Sequence, residues 1–256
     1  MSDAILASSE QDGQLERLIL NRPKGNVLDL EMIAELGARL DSLHPVRPEL
    51  KAVMLEGAGG HFSFGASVEQ HLPASVGKLL PAFHNLFRQL EALSVPSVAV
   101  VRGQCLGGGF ELALWCGWIF CDPSARFAVP EIKLAVFPPI AAAALPWRIG
   151  GARATDLILT GRAITGSEAV SLGLAASCTD DPEAAFQTWF AASLAPLSPL
   201  AVKLAWRASR RPLAAALAHD VPELEALYLD ELMRHADPVE GLTAFLERRA
   251  PRWTNR

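Results

Sequence analysis

Four short β-type runs recur through the first half of the chain, each set off from the next by a helical pattern or a turn. They are Leu15–Leu20 (LERLIL), residues 51–55 (KAVML), Ser97–Val101 (SVAVV) and Trp118–Cys121 (WIFC). After the first run comes a turn over residues 21–26, and Asp29 is placed to cap a helix over 30–43. There Ile33, Leu36, Leu40 and Leu43 repeat at helical spacing. A helix predicted over Val76–Leu93 joins the second run to the third. Strands that alternate with helices pair in parallel through crossovers, which predicts an α/β core. Beyond about residue 150 the pattern turns almost wholly helical, with helices predicted over 152–159, 167–172, 183–194, Pro199–Ser209, 213–235 and 238–249. Neither an internal repeat nor a linker-like stretch interrupts the chain. The late helices need a surface to cover, their own core or a neighbouring subunit, and this predicts an oligomer.

At 256 residues the chain exceeds the ~100–200 residues usual for one domain, so it reads as one large domain or a domain with an appendage. Half its residues are hydrophobic and a fifth charged, which excludes intrinsic disorder and allows a sizeable core. The 23 Lys and Arg against 28 Asp and Glu leave a net charge of −5, an argument against a nucleic-acid binder. An anionic ligand would therefore need a local basic pocket. Four cysteines make no disulfide scaffold in so long a chain and read as reduced thiols in a cytoplasm. Cys116 and Cys121 bracket four residues, near zinc-ligand spacing, but no His or second Cys pair completes a site, and their segment reads as core. The N-terminal segment is acidic and lacks the apolar stretch of a signal peptide. The longest apolar stretches, near 112–121 and 134–147, fall short of the ~20 residues of a membrane span. A soluble cytoplasmic protein is the expectation.

Two segments break the local rules. Gly103-Gln104-Cys105-Leu106-Gly107-Gly108-Gly109-Phe110-Glu111 follows a strand directly and opens an apolar helix. Glycines at such a turn let backbone approach a ligand and free N–H groups at a helix start. Their order fits neither a dinucleotide fingerprint nor a phosphate-binding loop. A plain packing turn would also explain them, but Glu111 is an ionisable group at the start of a helix of Leu, Ala and Trp. A carboxylate in apolar surroundings has a raised pKa and is a candidate acid or base. The second segment, His61-Phe62-Ser63-Phe64-Gly65-Ala66-Ser67, is a small-residue loop after the strand at 51–55. Parallel strands deliver such loops to one sheet edge, where this loop and the glycine run together offer two backbone donors, as an oxyanion hole requires. Glu131, in Val129-Pro130-Glu131-Ile132, follows Glu111 by 20 residues. It reads either as a surface Glu at a strand end or as the second carboxylate of an acid/base pair.

These residues resemble the crotonase superfamily, the enoyl-CoA hydratase/isomerase fold, over nearly the whole chain: FSFGAS, GQCLGGGFE, PEIKL and a helical C-terminus. The resemblance implies an α/β spiral of β-β-α units over residues 1–195 holding an acyl-CoA site, and a helical trimerisation region over 196–256. It implies that the N–H groups of Ala66 and Gly108 stabilise a thioester enolate, that Glu111 and Glu131 are the catalytic carboxylates, and that Gly65, Ser67, Gly107, Pro138, Pro139 and Lys24 contact substrate. It implies a homotrimer or dimer of trimers, an acyl-CoA thioester as partner, and no metal or cofactor beyond the substrate's coenzyme A. Lys24 and Arg22 in the NRPKG turn read equally as CoA phosphate ligands or as solvated turn residues. Within the superfamily, FSFGASVEQHLP, RGQCLGGGFELAL and YLDELM are most similar to the cyclohexa-1,5-dienecarbonyl-CoA hydratases of anaerobic benzoyl-CoA breakdown. Ser67 stands where many relatives carry Asp, and Pro138-Pro139-Ile140 replaces a Pro-Gly turn. Pro139 has no N–H to hold water, and Phe137 with Ile140 is expected to present a flat apolar wall to a ring. Two rival readings are an isomerase or hydrolase of another acyl-CoA, and a catalytically silent acyl-CoA-binding module. The presence of both glutamates favours the hydratase.

Overall fold

The computed structural model describes residues 3–255; Met1, Ser2 and Arg256 lie outside the described residues. Nine strands and ten α-helices follow one another in the order β1 (Ile5–Glu10), β2 (Leu15–Leu20), α1 (Leu30–Ser42), β3 (Ala52–Gly57), α2 (Val76–Leu93), β4 (Ser97–Val101), β5 (Gln104–Leu106), α3 (Gly108–Trp115), β6 (Trp118–Cys121), β7 (Arg126–Ala128), α4 (Pro139–Ile149), α5 (Gly151–Thr160), β8 (Ile164–Thr165), α6 (Gly166–Ser171), β9 (Ser177–Cys178), α7 (Pro182–Ser193), α8 (Pro199–Ser209), α9 (Arg211–Ala226) and α10 (Ala236–Leu246). The main sheet has the order β1-β2-β3-β4-β6-β9, parallel except for the β1–β2 hairpin. A smaller sheet, β5-β7-β8, stands beside it. This is the expected α/β architecture.

The central strands are buried on both faces, which is why they read as unbroken apolar runs rather than alternating ones. On β3, Val53 and Leu55 join the large cluster with α1 and α2, while Ala52 and Met54 face Phe186 and Phe190 of α7. β4 divides in the same way, Ala99 and Val101 to one side, Val98 and Val100 to the other. Asp29 caps α1 as its sequence position predicts, its side chain accepting from Met32 N at 2.8 Å. The helical tail is tied to this core. Leu213, Ala216, Leu217 and Val221 of α9 belong to the main cluster, and α9 packs on α4. Arg210, nearly buried, donates to Glu91 Oε1 at 2.6 and 3.0 Å and lies over the rings of Trp115 and Trp206.

Several elements escape the sequence reading: the edge strand β1 over residues 5–10, the short strands β5, β8 and β9, and the helix Pro139–Ile149 at the expected stiff apolar wall. Pro139 occupies the first turn of α4, where the missing N–H costs nothing and a φ near −65° suits the helix. The predicted helix over 213–235 is broken: α9 passes into one π-helical turn at Leu227–Glu231 and then a 3-10 turn at Leu232–Arg234. The four cysteines are free thiols, as expected of reduced residues, with Cys121 in register opposite Cys178 on β9.

Glu131 rides on a short 3-10 helix, Pro130–Leu134, that α10 holds in place. At the contact a Cβ on Gly241 would stand 2.3 Å from the carbonyl oxygen of Leu134. Gly241→Ala must therefore push α10 off this turn, and should cost about 1–3 kcal/mol in denaturant unfolding as an overpacked core does.

Candidate active site

The loop Ser63–Ser67 is held against the turn between β5 and α3 by a dense set of backbone and small-side-chain bonds. Leu106 N donates to Ser63 O at 2.9 Å, and Phe64 N to Gly25 O at 2.7 Å. Ser63 Oγ donates to Asn26 O (2.7 Å) and accepts from Gly65 N (3.0 Å). Asn26, buried at φ +51°, donates from Nδ2 to the carbonyls of Ala58, His61 and Phe62 at 2.9–3.2 Å. The two backbones come so close that side chains are excluded. A Cβ on Gly65 (φ +96°) would stand 2.6 Å from Leu106 O, and one on Gly109 would stand 2.6 Å from Ser63 Cβ.

This approach sets the amides of Ala66 and Gly108 side by side. The Cβ position of Gly65 is 3.3 Å from Gly108 N, and that of Gly108 is 3.3 Å from Ala66 N. Gly108 opens α3, so its N–H has no intrahelical acceptor. Among the described residues neither amide donates a hydrogen bond. Gly107 adopts φ +50°, ψ −128° and its own N–H is spent on Ala128 O at 2.8 Å. A Cβ there would stand 2.7 Å from Glu131 Oε1, so glycine is what lets the second carboxylate reach the pair of amides.

Glu111 is nearly buried in the first turn of α3, and its Oε1 accepts from Ala141 N at 2.8 Å. Burial pushes its pKa up to about 7; the amides of Ala141 and Ile140 at the start of α4 oppose that rise. Glu131 is raised well above the ordinary carboxylate range, first by burial and then by the charge of Glu111. Its Oε2 is enclosed and has no hydrogen-bond partner among the described residues. Two carboxyls and two free amides thus share one cleft. Its apolar lining comes from Phe64, Leu79, Leu80, Phe83, Val136, Phe137, Pro138 and Pro139.

The other sequence candidates divide. Gly65, Gly107, Pro138 and Pro139 line the cleft beside Ala66, Gly108, Glu111 and Glu131. Ser67 does not line it: its Oγ accepts from Gln70 N at 3.3 Å and its carbonyl accepts from His71 Nδ1 at 2.8 Å. Lys24 is exposed on an adjoining surface cleft with Arg22 and His61, joined to the first through Phe64. Ile140 faces the core, fully buried, because the helical turn begun at Pro139 carries it inward; the expected wall consists of Phe137 and the two prolines alone. His71 was not foreseen. Burial lowers its pKa, and since a carbonyl only accepts, its Nδ1 carries the proton toward Ser67 O.

Comparison with known proteins identifies the family. Residues 10–256 match the enoyl-CoA hydratase/isomerase family. A cyclohexa-1,5-dienecarbonyl-CoA hydratase of Thauera aromatica is 45% identical over 96% of this chain and 95% of its own. A probable enoyl-CoA hydratase of Mycobacterium leprae is 33% identical over 99% of both. The crystal structure of an enoyl-CoA hydratase from Mycobacterium avium subsp. paratuberculosis superposes with a TM-score of 0.85 at 26% identity, covering 98% of this chain and 99% of that one. The chain belongs to the enoyl-CoA hydratase/isomerase family, and it is an enzyme of the hydro-lyase kind.

Burying Glu111 has a consequence for stability. The folded carboxyl keeps a proton that the unfolded chain releases near pH ~4.3, so stability falls as pH rises from there to about 7. Glu111→Gln retains an acceptor for Ala141 N but has no proton to lose. Its Tm should exceed that of the wild type by more at pH 8 than at pH 5; a gap independent of pH would show that Glu111 titrates normally.

Proposed function

We propose that the protein adds water to a cyclic conjugated dienoyl-CoA thioester of the cyclohexa-1,5-diene-1-carbonyl type, giving a hydroxycyclohexenecarbonyl-CoA. The observation that carries this is the meeting of two raised carboxyls and two unpaired amides in one stiff apolar cleft. The identity with the Thauera aromatica hydratase supports the ring.

The thioester oxygen accepts from the N–H groups of Ala66 and Gly108. As the water oxygen bonds to ring carbon, the displaced π electrons move through the conjugated system onto that oxygen, where the two amides stabilise the charge. Glu111, whose anion the Ala141 amide at the start of α4 supports, takes the proton that water loses. Glu131, held protonated, delivers its proton to ring carbon as the thioester carbonyl re-forms. The proton then returns from Glu111 to Glu131, and no redox step or cofactor enters. Phe137 with Pro138 and Pro139 forms a wall whose proline φ angles are fixed, and a planar ring covers it better than a short chain does. Gly65 and Gly107 serve by leaving room for the thioester and for Glu131.

Arg22 is already engaged by Asp29 and Glu31, which leaves Lys24 as the cation for a CoA phosphate. Exposed Leu159, Leu200, Leu204, Phe245 and Leu246 on α5, α8 and α10 support a trimer or dimer of trimers built on these helices. Among the described residues no helix is long and apolar enough to cross a membrane, which agrees with work in the cytoplasm on a soluble thioester.

The test is incubation with cyclohexa-1,5-dienecarbonyl-CoA and with crotonyl-CoA, with mass detection of a gain of one water. The cyclic thioester should show the higher kcat/KM; equal or better turnover of crotonyl-CoA returns the protein to hydration of linear chains. Ala66→Pro removes one donor and should lower kcat about 10²–10³-fold, whereas Ala66→Gly should be mild. Glu111→Gln and Glu131→Gln should each lower it about 10²–10⁴-fold with thioester binding retained. In the wild type the rate should rise with pH through about 7 as Glu111 ionises, and fall only where Glu131 loses its proton. A rate flat from pH 5.5 to 8.5 contradicts these acid and base roles.

A further inference from the structure

The chain has one tyrosine, and it lies behind the cleft. The apolar stripe of α9, Leu213, Leu217, Val221 and Leu224, arrives at Tyr228 in helical register, at the start of the π-helical turn Leu227–Glu231. The stripe calls for an apolar side chain, and the surroundings agree: Val76, Leu80, Val136 and Leu242 pack around the ring. Yet a phenol stands there, 1% exposed, and its hydroxyl has no hydrogen-bond partner among the described residues. A buried donor left unpaired is destabilising, and phenylalanine would avoid that penalty at the same volume. Single π turns inside helices are frequent at functional sites.

Its position relates the hydroxyl to the chemistry. The ring lies 5.3 Å from that of Phe137 and 6.5 Å from that of His71, both of which line the cleft. Burial and the charges of Glu131 and then Glu111 hold the phenol well above its ordinary pKa, so it is a neutral donor within the field of both carboxyls. Glu131 Oε2, on a residue that lines the cleft, is another enclosed polar atom without a partner among the described residues. Glu131 lines the cleft and Tyr228 packs behind its residue Phe137, and an unpaired carboxyl oxygen with an unpaired phenol there suits a small group that both donates and accepts. Pro139 supplies no N–H at the start of α4, and the Ala141 N–H is taken by Glu111.

We infer that Tyr228 is a third catalytic side chain, whose hydroxyl donates to the oxygen that adds to the ring: water in the forward direction, the leaving hydroxyl in the reverse. This rests on the hydratase reading above. No covalent bond to the tyrosine forms; the phenol keeps its proton throughout, while Glu111 and Glu131 carry the protons that move. The phenol fixes the oxygen on the Glu131 side of the ring and thereby selects the face that is hydroxylated.

The test is Tyr228→Phe, measured in hydration of cyclohexa-1,5-dienecarbonyl-CoA and crotonyl-CoA and in thermal unfolding. Loss of one donor to a charge-developing oxygen should lower kcat about 10- to 100-fold, leave KM within about twofold, and leave Tm equal or raised. A hydroxyl with a purely structural role would instead lower Tm. Wild-type protein labelled with ring-fluorinated tyrosine gives a single fluorine resonance. It should shift with hydroxycyclohexenecarbonyl-CoA and much less with cyclohexenecarbonyl-CoA, which lacks the hydroxyl. Unchanged kcat in Tyr228→Phe, or equal fluorine shifts with the two thioesters, overturns the role of Tyr228 and leaves the hydratase reading standing. Wild type that hydrates neither thioester overturns the hydratase reading, and this inference with it.

Discussion

Two stretches of backbone lie closer together than any side chain permits, and the site depends on that contact. Gly65 presses on the carbonyl of Leu106, and Gly109 presses on Ser63. Only this approach brings the N–H of a loop residue, Ala66, beside the N–H that opens a helix, at Gly108. Each amide alone would be an ordinary surface donor. Together they form a concentrated positive site, because they belong to rigid backbone and need no reorganisation when charge arrives. Asn26 secures the arrangement by satisfying three carbonyls of the incoming loop, so the strain of its own positive φ is met by hydrogen bonds elsewhere.

The same crowding sorts the carboxyls. Gly107 lets Glu131 come close to the amides, and in doing so brings it near Glu111 in an apolar enclosure. Two carboxyls cannot both ionise freely there, so their proton affinities separate. Direction follows from their neighbours. Glu111 receives amides from the start of α4, where an anion is favoured. Glu131 Oε2 has no such donor among the described residues, and it keeps the proton. The protein accepts a stability penalty at neutral pH for this pair, a penalty that amide side chains at the same positions would lift together with the activity.

Much of this was legible in the sequence because it was local. A glycine run between a strand and an apolar helix, a Glu inside that helix and a Pro-Glu after the next strand can all be read without knowing the fold. The strands Leu15–Leu20, Ser97–Val101 and Trp118–Cys121 and the helix Val76–Leu93 lie where the pattern placed them. Edge strand β1 was not legible, because its exposed residues Leu6–Ser9 give no buried run. Helix α4 was hidden by its prolines, which look like breakers until Pro139 is seen at the helix start and Pro146 near its end. Ile140 was misplaced for the same reason, since an extended segment and a helix send it to opposite sides. His71 and Tyr228 lie inside the quoted segments FSFGASVEQHLP and YLDELM, but nothing local singles them out as site residues: they are 157 positions apart and joined only by tertiary packing.

The two prolines before α4 connect these observations. In a glycine-containing turn a free N–H could hold water directly. Here the first helical residue has none, and the amide of Ala141 is committed to the carboxylate of Glu111. Stiffening this wall for a flat ring therefore removes one water-binding donor and strengthens the base. The oxygen to be added must then be held by other polar atoms, and Glu131 Oε2 and the hydroxyl of Tyr228, which packs behind Phe137, are enclosed and left unpaired. Their burial among apolar side chains makes sense as one compensated design: the donor that the prolines took from the backbone has moved to a side chain in the π turn that follows α9.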